Sequence, residues 1–447
     1  MKRLIIALLV LYGLAGCAVG DYQAGIEAAG RGDYAAAIKE WKPLAEDGDP
    51  NAQYQLGLVY LNGRGVPQDN AEAVRWFRAA EAQFHAPAQN KLGELYEAGR
   101  GLPQSDDEAL SRYRTAAALG DADAWANMGH VYETGLGVEV DYPEALRWYR
   151  RAAERNQPKA MTAVGRFYES GLETTQDYGE AAQWYRRAGN QDEREAQNRL
   201  AYLYEQGLGV TQSYDEAAEW WARAAAQGLS SAQANLGFMY EKGLGVPQDE
   251  TEAARLYTLA ADQGLAEAQN NLGSLYERGL GVEQDHDQAA RLYQLAADQG
   301  LPAAQTNLGG LYEEGLGVPQ NYAMALKLWR EAAAGGYADA EYNLGHAYAN
   351  GLGVPQDMSK AAQWWQAAAN RGNATAMSLL GYMYNIGEGV NRDRVQAHVW
   401  FNLAASLHPP GKDREVAANN RDHVATLLSS AQLDKAWGLA EAWQPSP

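Results

Sequence analysis

One cysteine, Cys17, is all that the 447 residues contain. No intramolecular disulfide can form, so packing alone must hold the fold together. Positive charge is also scarce: 37 Lys and Arg face 57 Asp and Glu, a formal net charge of −20. Charge of that sign repels phosphate backbones and anionic headgroups, which argues against nucleic acid as a ligand. It leaves two readings open, a basic partner or simple solubility. The seven histidines are scattered with no second ligand at metal spacing, and no metal is expected. Past the amino-terminal leader no apolar run is long enough to cross a bilayer. No low-complexity linker divides the chain, so its length does not mean several domains in the usual count.

What the chain does have is a repeat. Gly57, Gly93, Gly129, Gly165, Ala201, Gly237, Gly273, Gly309, Gly345 and Gly381 fall at a constant spacing of 36 residues, in ten copies without insertion. A Tyr follows three residues later in every copy, from Tyr60 to Tyr384. A fixed period of this length means an array of supersecondary units, and such arrays are binding scaffolds far more often than enzymes. Within one copy, Ala232, Leu236, Met239 and Tyr240 recur at three and four residues, the period of one buried helical face. Gly243 ends this first helix at a left-handed C-cap. Gly245, Val246 and Pro247 turn the chain, and Asp249 with Glu252 reads as a capping box that opens a second helix. Ala253, Tyr257 and Ala260 give that helix its buried face. The Ala column is unbroken from Ala73 to Ala397, and the Tyr257 column is aromatic throughout. Nine of the 13 Trp lie in the two aromatic columns of the second helix, which assigns them to the core rather than to a sugar site. The Gly-x-Gly loops follow helices rather than strands, so they cradle no phosphate, and the carboxylate pairs recur with the array whereas an active site is unique. Neither a catalytic residue nor a cofactor is expected.

The pattern A-x-x-x-L-G-x-x-Y-x-x-G-x-G-V, with a later A-x-x-x-W/Y-x-x-A-A-x-x-G, resembles the Sel1-like repeat family, a relative of the tetratricopeptide repeat, over about Asn51 to Leu407. The resemblance implies an all-α fold, an α/α solenoid of helical hairpins, and a role as an adaptor with protein partners. Cysteine-rich members of the family bind or slowly hydrolyse β-lactams; they staple each repeat with a Cys pair, which this chain lacks.

The two ends depart from the period. Lys2 and Arg3 precede an apolar run, Leu4 to Leu14, and then Leu14-Ala15-Gly16-Cys17. This reads as a signal peptide over residues 1–16 whose end resembles a bacterial lipobox, with Cys17 as the lipid attachment. By resemblance to the bacterial sorting rule, Ala18 directs the protein to the outer membrane, facing the periplasm, so the lipid would be its only membrane contact. Loss of Lys2 and Arg3 with the leader takes the charge from −20 to −22. Residues 17–50 read as the anchored end and a degenerate first unit beginning by about Tyr22, with Ala37 and Trp41 in register. Ten repeats occupy 51–407. Residues 408–447 read as a capping helix pair, Asp413 to Leu428 and then Ala431 to Trp443 behind a Ser429 or Ser430 cap.

Three columns of the first helix are candidates for a binding face. Glu97, Glu133, Glu169, Glu205, Glu241, Glu277 and Glu313 hold one place in seven consecutive copies. The ladder either meets a basic partner or is internal bracing by Arg residues such as Arg147, Arg150, Arg255 or Arg291. A second column, Asn127, Asn235, Asn271, Asn307 and Asn343, is read by resemblance to tetratricopeptide repeats as a clip onto the backbone of the neighbouring helix. The third, one residue past the marker Gly, varies freely and includes Arg166, Tyr202 and Phe238. With Glu133, Glu169, Glu205, Glu241 and Glu277 these make up the candidate face. The fourth copy departs most: Glu173 replaces the second loop Gly, and either a hinge or simple drift accounts for it. The reading that follows is a lipid-anchored envelope adaptor, with two alternatives: a regulator that restrains a periplasmic partner such as a sensor domain, or a protein that binds or hydrolyses cell-wall fragments or β-lactams.

Overall fold

Spacing of three and four residues builds the helices of this chain, and Gly and Asp decide where each one ends. A computed structural model describes residues 20–446; Cys17 lies outside the described residues. Among the described residues there are 24 α-helices and no strand, most of them 12 to 14 residues long and paired as antiparallel hairpins. The chain divides into two compact units, one ending at Ser213 and the other beginning at Tyr214. The first holds helices from Tyr22–Gly30 and Tyr34–Glu46 to Arg194–Gln206; the second runs from Tyr214–Ala226 to Arg394–Leu407 and then Lys412–Ala425 and Ser430–Glu441. Ser429 closes a full capping box with Gln432 on the last helix.

Each hairpin has the same interior. The invariant Ala of the second helix is wholly buried, as at Ala73, Ala253 and Ala325, and so is the aromatic beside it, as at Phe77, Tyr185 and Tyr257. The aromatic ring lies against the marker Gly of the first helix: a Cβ on Gly237 would sit 2.9 Å from Tyr257, and one on Gly309 would sit 2.4 Å from Trp329. This contact is what favours Gly as the marker in nine of the ten copies; the fifth has Ala201, wholly buried. The fixed Tyr three residues later faces the core as its spacing implies but is only half-buried: Tyr240, Tyr276, Tyr312 and Tyr348 pack against the edge of the core clusters. Its backbone carbonyl also fastens the next helix. Tyr240 accepts from the backbone N–H of Asp249 (3.0 Å), and Tyr276 from that of Asp285 (2.9 Å).

That bond also corrects the capping box. Asp249 accepts from the N–H groups of Thr251 and Glu252, as an N-cap should, but Glu252 does not return the bond. The Asp249 N–H is already committed to Tyr240, and Glu252 turns instead to Arg255 at 2.6 Å. The preceding loop is fastened by a Gln: Gln248, Gln284 and Gln320 donate to the carbonyls of Glu241, Glu277 and Glu313 at 2.8–3.1 Å. These satisfy acceptors that the helix end leaves open.

Neighbouring hairpins within a unit are joined by a different Gln, which the Asn reading missed. Gln53 donates to Ala45 O (3.0 Å), Gln233 to Ala225 O (3.3 Å) and Gln269 to Ala261 O (3.3 Å), all from buried positions. Two members of the Asn column clip hairpins together, but side chain to side chain: Asn127 donates to Asn90 (2.8 Å) and Asn307 to Asn270 (3.0 Å). In the fourth copy Glu173 adopts the positive φ of the Gly that it replaces, +55°, and both flanking helices, Pro158–Ser170 and Tyr178–Gly189, keep their usual length.

Two loop glycines separate conformational strain from collision. Gly243 and Gly245 both have φ of +66°, but a Cβ on Gly243 would be 3.2 Å from a Gln248 side-chain atom, whereas one on Gly245 would be 2.2 Å from the backbone of Tyr214 in the preceding hairpin. Gly243→Ala should therefore cost about 1–2 kcal/mol, the penalty for the left-handed region. Gly245→Ala should cost clearly more, because backbone must move, and should loosen the Tyr214–Ala226 helix. Denaturant unfolding with hydrogen exchange checks both; equal costs at the two positions would contradict the account.

Candidate functional site

The Glu ladder lies one helical turn beyond the marker Gly on the first helix, so it is within reach of the ring that packs on that Gly. Where the ring is Tyr, its hydroxyl donates to the ladder carboxylate of the same hairpin: Tyr113 to Glu97 (2.6 Å), Tyr149 to Glu133 (2.6 Å), Tyr257 to Glu241 (3.0 Å), Tyr293 to Glu277 (2.6 Å), and Tyr185 to Glu169. Burial first, and then the adjacent carboxylate, pushes each of these phenols far above the ordinary tyrosine value. They act as permanent donors. Sequence reasoning missed these partners, and the signal was only partial. Phe77, Trp365 and Phe401, which have no phenol, stand with Leu61, Ala349 and Asn385 at the ladder place, but Trp221 and Trp329 stand with Glu205 and Glu313.

Three ladder carboxylates have as second ligand a cation from the following hairpin, supplied by the variable column. His130 Nε2 stands 3.6 Å from Glu97, Arg166 donates to both oxygens of Glu133 (2.9 and 3.0 Å), and His346 stands 3.5 Å from Glu313. Glu169 is met instead by Arg199, at 3.2 Å. The Arg residues expected as braces are elsewhere: Arg147 and Arg255 pair with Glu144 and Glu252 of their own second helices, and Arg150 donates to the Tyr168 hydroxyl. Three residues along a helix is the shorter reach, so Arg147 and Arg255 stay on the second helix, while Arg150 crosses to the next hairpin but meets a phenol rather than the ladder.

Four of the candidate residues of the first unit, Glu133, Arg166, Glu169 and Tyr202, line one groove of about 450 Å³ together with Arg199. Arg166 also borders a larger groove, about 840 Å³, with Glu94, Glu97 and His130. Arg166 is thus not a free recognition residue but half of an inter-hairpin brace. Tyr202 is the exposed member, at 46%. Glu205, also of the first unit, is half-buried and accepts from Gln206 (3.1 Å). In the second unit, Phe238 is exposed beside Lys242, whose ammonium also pairs with Glu241 at 2.6 Å, and Glu277 is half-buried. Among the described residues no group of His, Cys, Asp or Glu is arranged to hold a metal ion.

Two consequences can be measured. Glu133→Gln removes the charge that Arg166 and the Tyr149 phenol both meet, and Tyr149→Phe removes a hydrogen bond to that same charged carboxylate, so each should cost about 1.5–3 kcal/mol, the size of a hydrogen bond to a charged group. Denaturant unfolding of both variants checks this, and no loss in either would contradict the brace. The second consequence is pH dependence. The Glu97 carboxylate, as hydrogen-bond acceptor, holds His130 above its ordinary 6.5 against the opposing effect of burial, with Glu133 helping and Arg166 opposing. His130 in turn, with Tyr113 helping and burial opposing, holds Glu97 below its ordinary 4.5. The histidine's contribution is complete below its unfolded value and is lost as pH rises through the raised folded value; that of Glu97 is lost only as pH falls through its depressed value. The melting-temperature difference between the parent and His130→Asn should therefore be larger at about pH 6 than at about pH 9. An equal difference at both would remove the pair from the account.

The Sel1 repeat matches ten consecutive segments, 50–83, 86–121, 122–157, 158–193, 194–229, 230–265, 266–301, 302–337, 338–373 and 374–408. A comparison with curated proteins returned no match. Among solved structures, a protective antigen present in uropathogenic Escherichia coli strains, which displays the same repeat fold, is 33% identical with a TM-score of 0.58 over 91% of this chain and 94% of its own. A Sel1 repeat protein from Oxalobacter formigenes is 34% identical with a TM-score of 0.52 over 69% of this chain and 89% of its own. Sel1 repeats generally mediate contacts between proteins and are generally not enzymes. With its repeat register, its helical hairpins and these relatives in agreement, the chain belongs to the Sel1 repeat family.

Proposed function

We propose that this chain is a non-enzymatic adaptor of the bacterial cell envelope, tethered through a lipid on Cys17 to the periplasmic side of the outer membrane and holding a protein partner on its first-helix face. The observation that carries the reading is the ladder itself. Successive hairpins each present a half-buried carboxylate at one place, beside a column whose side chains vary from Gly310 to the exposed Tyr202 and Phe238. Packing dictates the first column and leaves the second open to selection by a ligand. The anchor is supported by Leu14-Ala15-Gly16-Cys17 after a short apolar run. A relative described as a protective antigen is also in keeping with a place in the envelope.

Acylation needs the thiol, so Cys17→Ala should release the protein from the outer-membrane fraction while the helical array still folds. Retention of the Cys17→Ala protein in that fraction after a carbonate wash would refute the anchor. Cross-linking of the native protein in intact cells should recover a partner attached through residues flanking the ladder. Recovery only through the second helices would refute the assigned face.

A further inference from the structure

The ladder shows what its carboxylates bind, because in most hairpins the chain supplies the ligand itself. Glu97, Glu133 and Glu313 are each met by a cation from the following hairpin, at one residue past its marker Gly: His130, Arg166 and His346. For Glu277 the corresponding position is Gly310. A Cβ built there meets nothing within 4 Å, and Gly310 itself sends no side chain toward Glu277. The position that supplies Arg199 to Glu169 is here Asn307, whose amide is turned to Asn270. Arg278, next to Glu277 in the chain, is exposed and makes no ion pair with it. Among the described residues no Lys, Arg or His pairs with Glu277, yet the Tyr293 hydroxyl still orients its carboxylate at 2.6 Å.

We infer that Glu277, with Tyr293 behind it and Gly310 opposite, is a receptor for the guanidinium of an arginine carried by a protein partner. The incoming side chain takes the place that Arg166 occupies on Glu133, accepted by both carboxylate oxygens while the phenol holds the carboxylate in position. Arginine suits the place better than lysine because its planar, spread charge loses less hydration and donates to two oxygens at once. The inference deepens the adaptor reading and rests on it for the source of the arginine, though not for the receptor itself.

Nα-acetyl-L-argininamide, titrated into the isotopically labelled full-length protein, should shift amide resonances of the Ala266–Arg278 and Pro302–Glu314 helices saturably. The citrulline analogue, equal in shape and uncharged, should not. Glu277→Gln should weaken the arginine response roughly tenfold, as expected when one charge-assisted hydrogen bond is removed. Gly310→Arg should abolish the response by filling the site from within the chain, and Gly310→Ala should leave it intact. Equal responses to arginine and citrulline, or an undiminished response in Glu277→Gln, would overturn the receptor. In cells, Gly310→Arg should lower the yield of the cross-linked partner. A receptor that binds argininamide while capture by Gly310→Arg is undiminished would overturn the adaptor reading of this face and leave the arginine site standing.

Discussion

An aromatic ring of the second helix packed against a glycine of the first is the contact on which the rest of each hairpin depends. It sets the distance between the two helices, since a Cβ at Gly237 would lie 2.9 Å from Tyr257 and one at Gly93 would lie 2.6 Å from Tyr113. It also fixes where the end of the ring arrives. A side chain seated on one residue of a helix reaches the residue one turn on, along the same face. A phenol there finds the ladder carboxylate at Glu97, Glu133, Glu169, Glu241 and Glu277. Glu205 and Glu313 hold the ladder place in hairpins whose ring is Trp221 or Trp329, so the ring orients five of the seven carboxylates and does not by itself account for the ladder.

The architecture was legible in the sequence because each part of it is a backbone demand met by one residue type. Gly243 at φ of +66° and the Ala253 column, with no exposed surface, leave no other choice, and ten copies repeat the message. The bracing was less legible because its partners lie 33 or 16 residues apart. Neither distance belongs to a local motif. Arg166 reads in the sequence as a variable, exposed residue, and only the stacking of one hairpin on the next brings it onto Glu133. The Gln clip was missed for a related reason: Gln53, Gln233 and Gln269 look like surface residues, but the amide is buried and committed to a carbonyl of the preceding hairpin.

Net charge proved a coarse guide for the same reason. The Tyr142–Glu154 helix of this acidic chain exposes Arg147, Arg150 and Arg151, and Arg151 stands over the Trp125 ring at 4.2 Å. Carboxylates of the ladder, meanwhile, are partly neutralised by cations from the next hairpin. What a partner meets at each hairpin is the local remainder of these pairings, which the total of −20 does not describe.

The variable column can therefore act as a selector. A cation at that place closes the ladder carboxylate from within, as Arg166 does at Glu133, whereas at Gly310 Glu277 is oriented by Tyr293 and left without an ion pair. Each exposed ionic contact contributes only about 0–1 kcal/mol, so no single open place can hold a protein. Affinity has to come from several places engaged at once, with apolar residues such as Tyr202 in one unit and Phe238 in the other adding area near the charges. An array is suited to this because one substitution in the variable column opens or closes a place without disturbing the ring and the glycine beneath it.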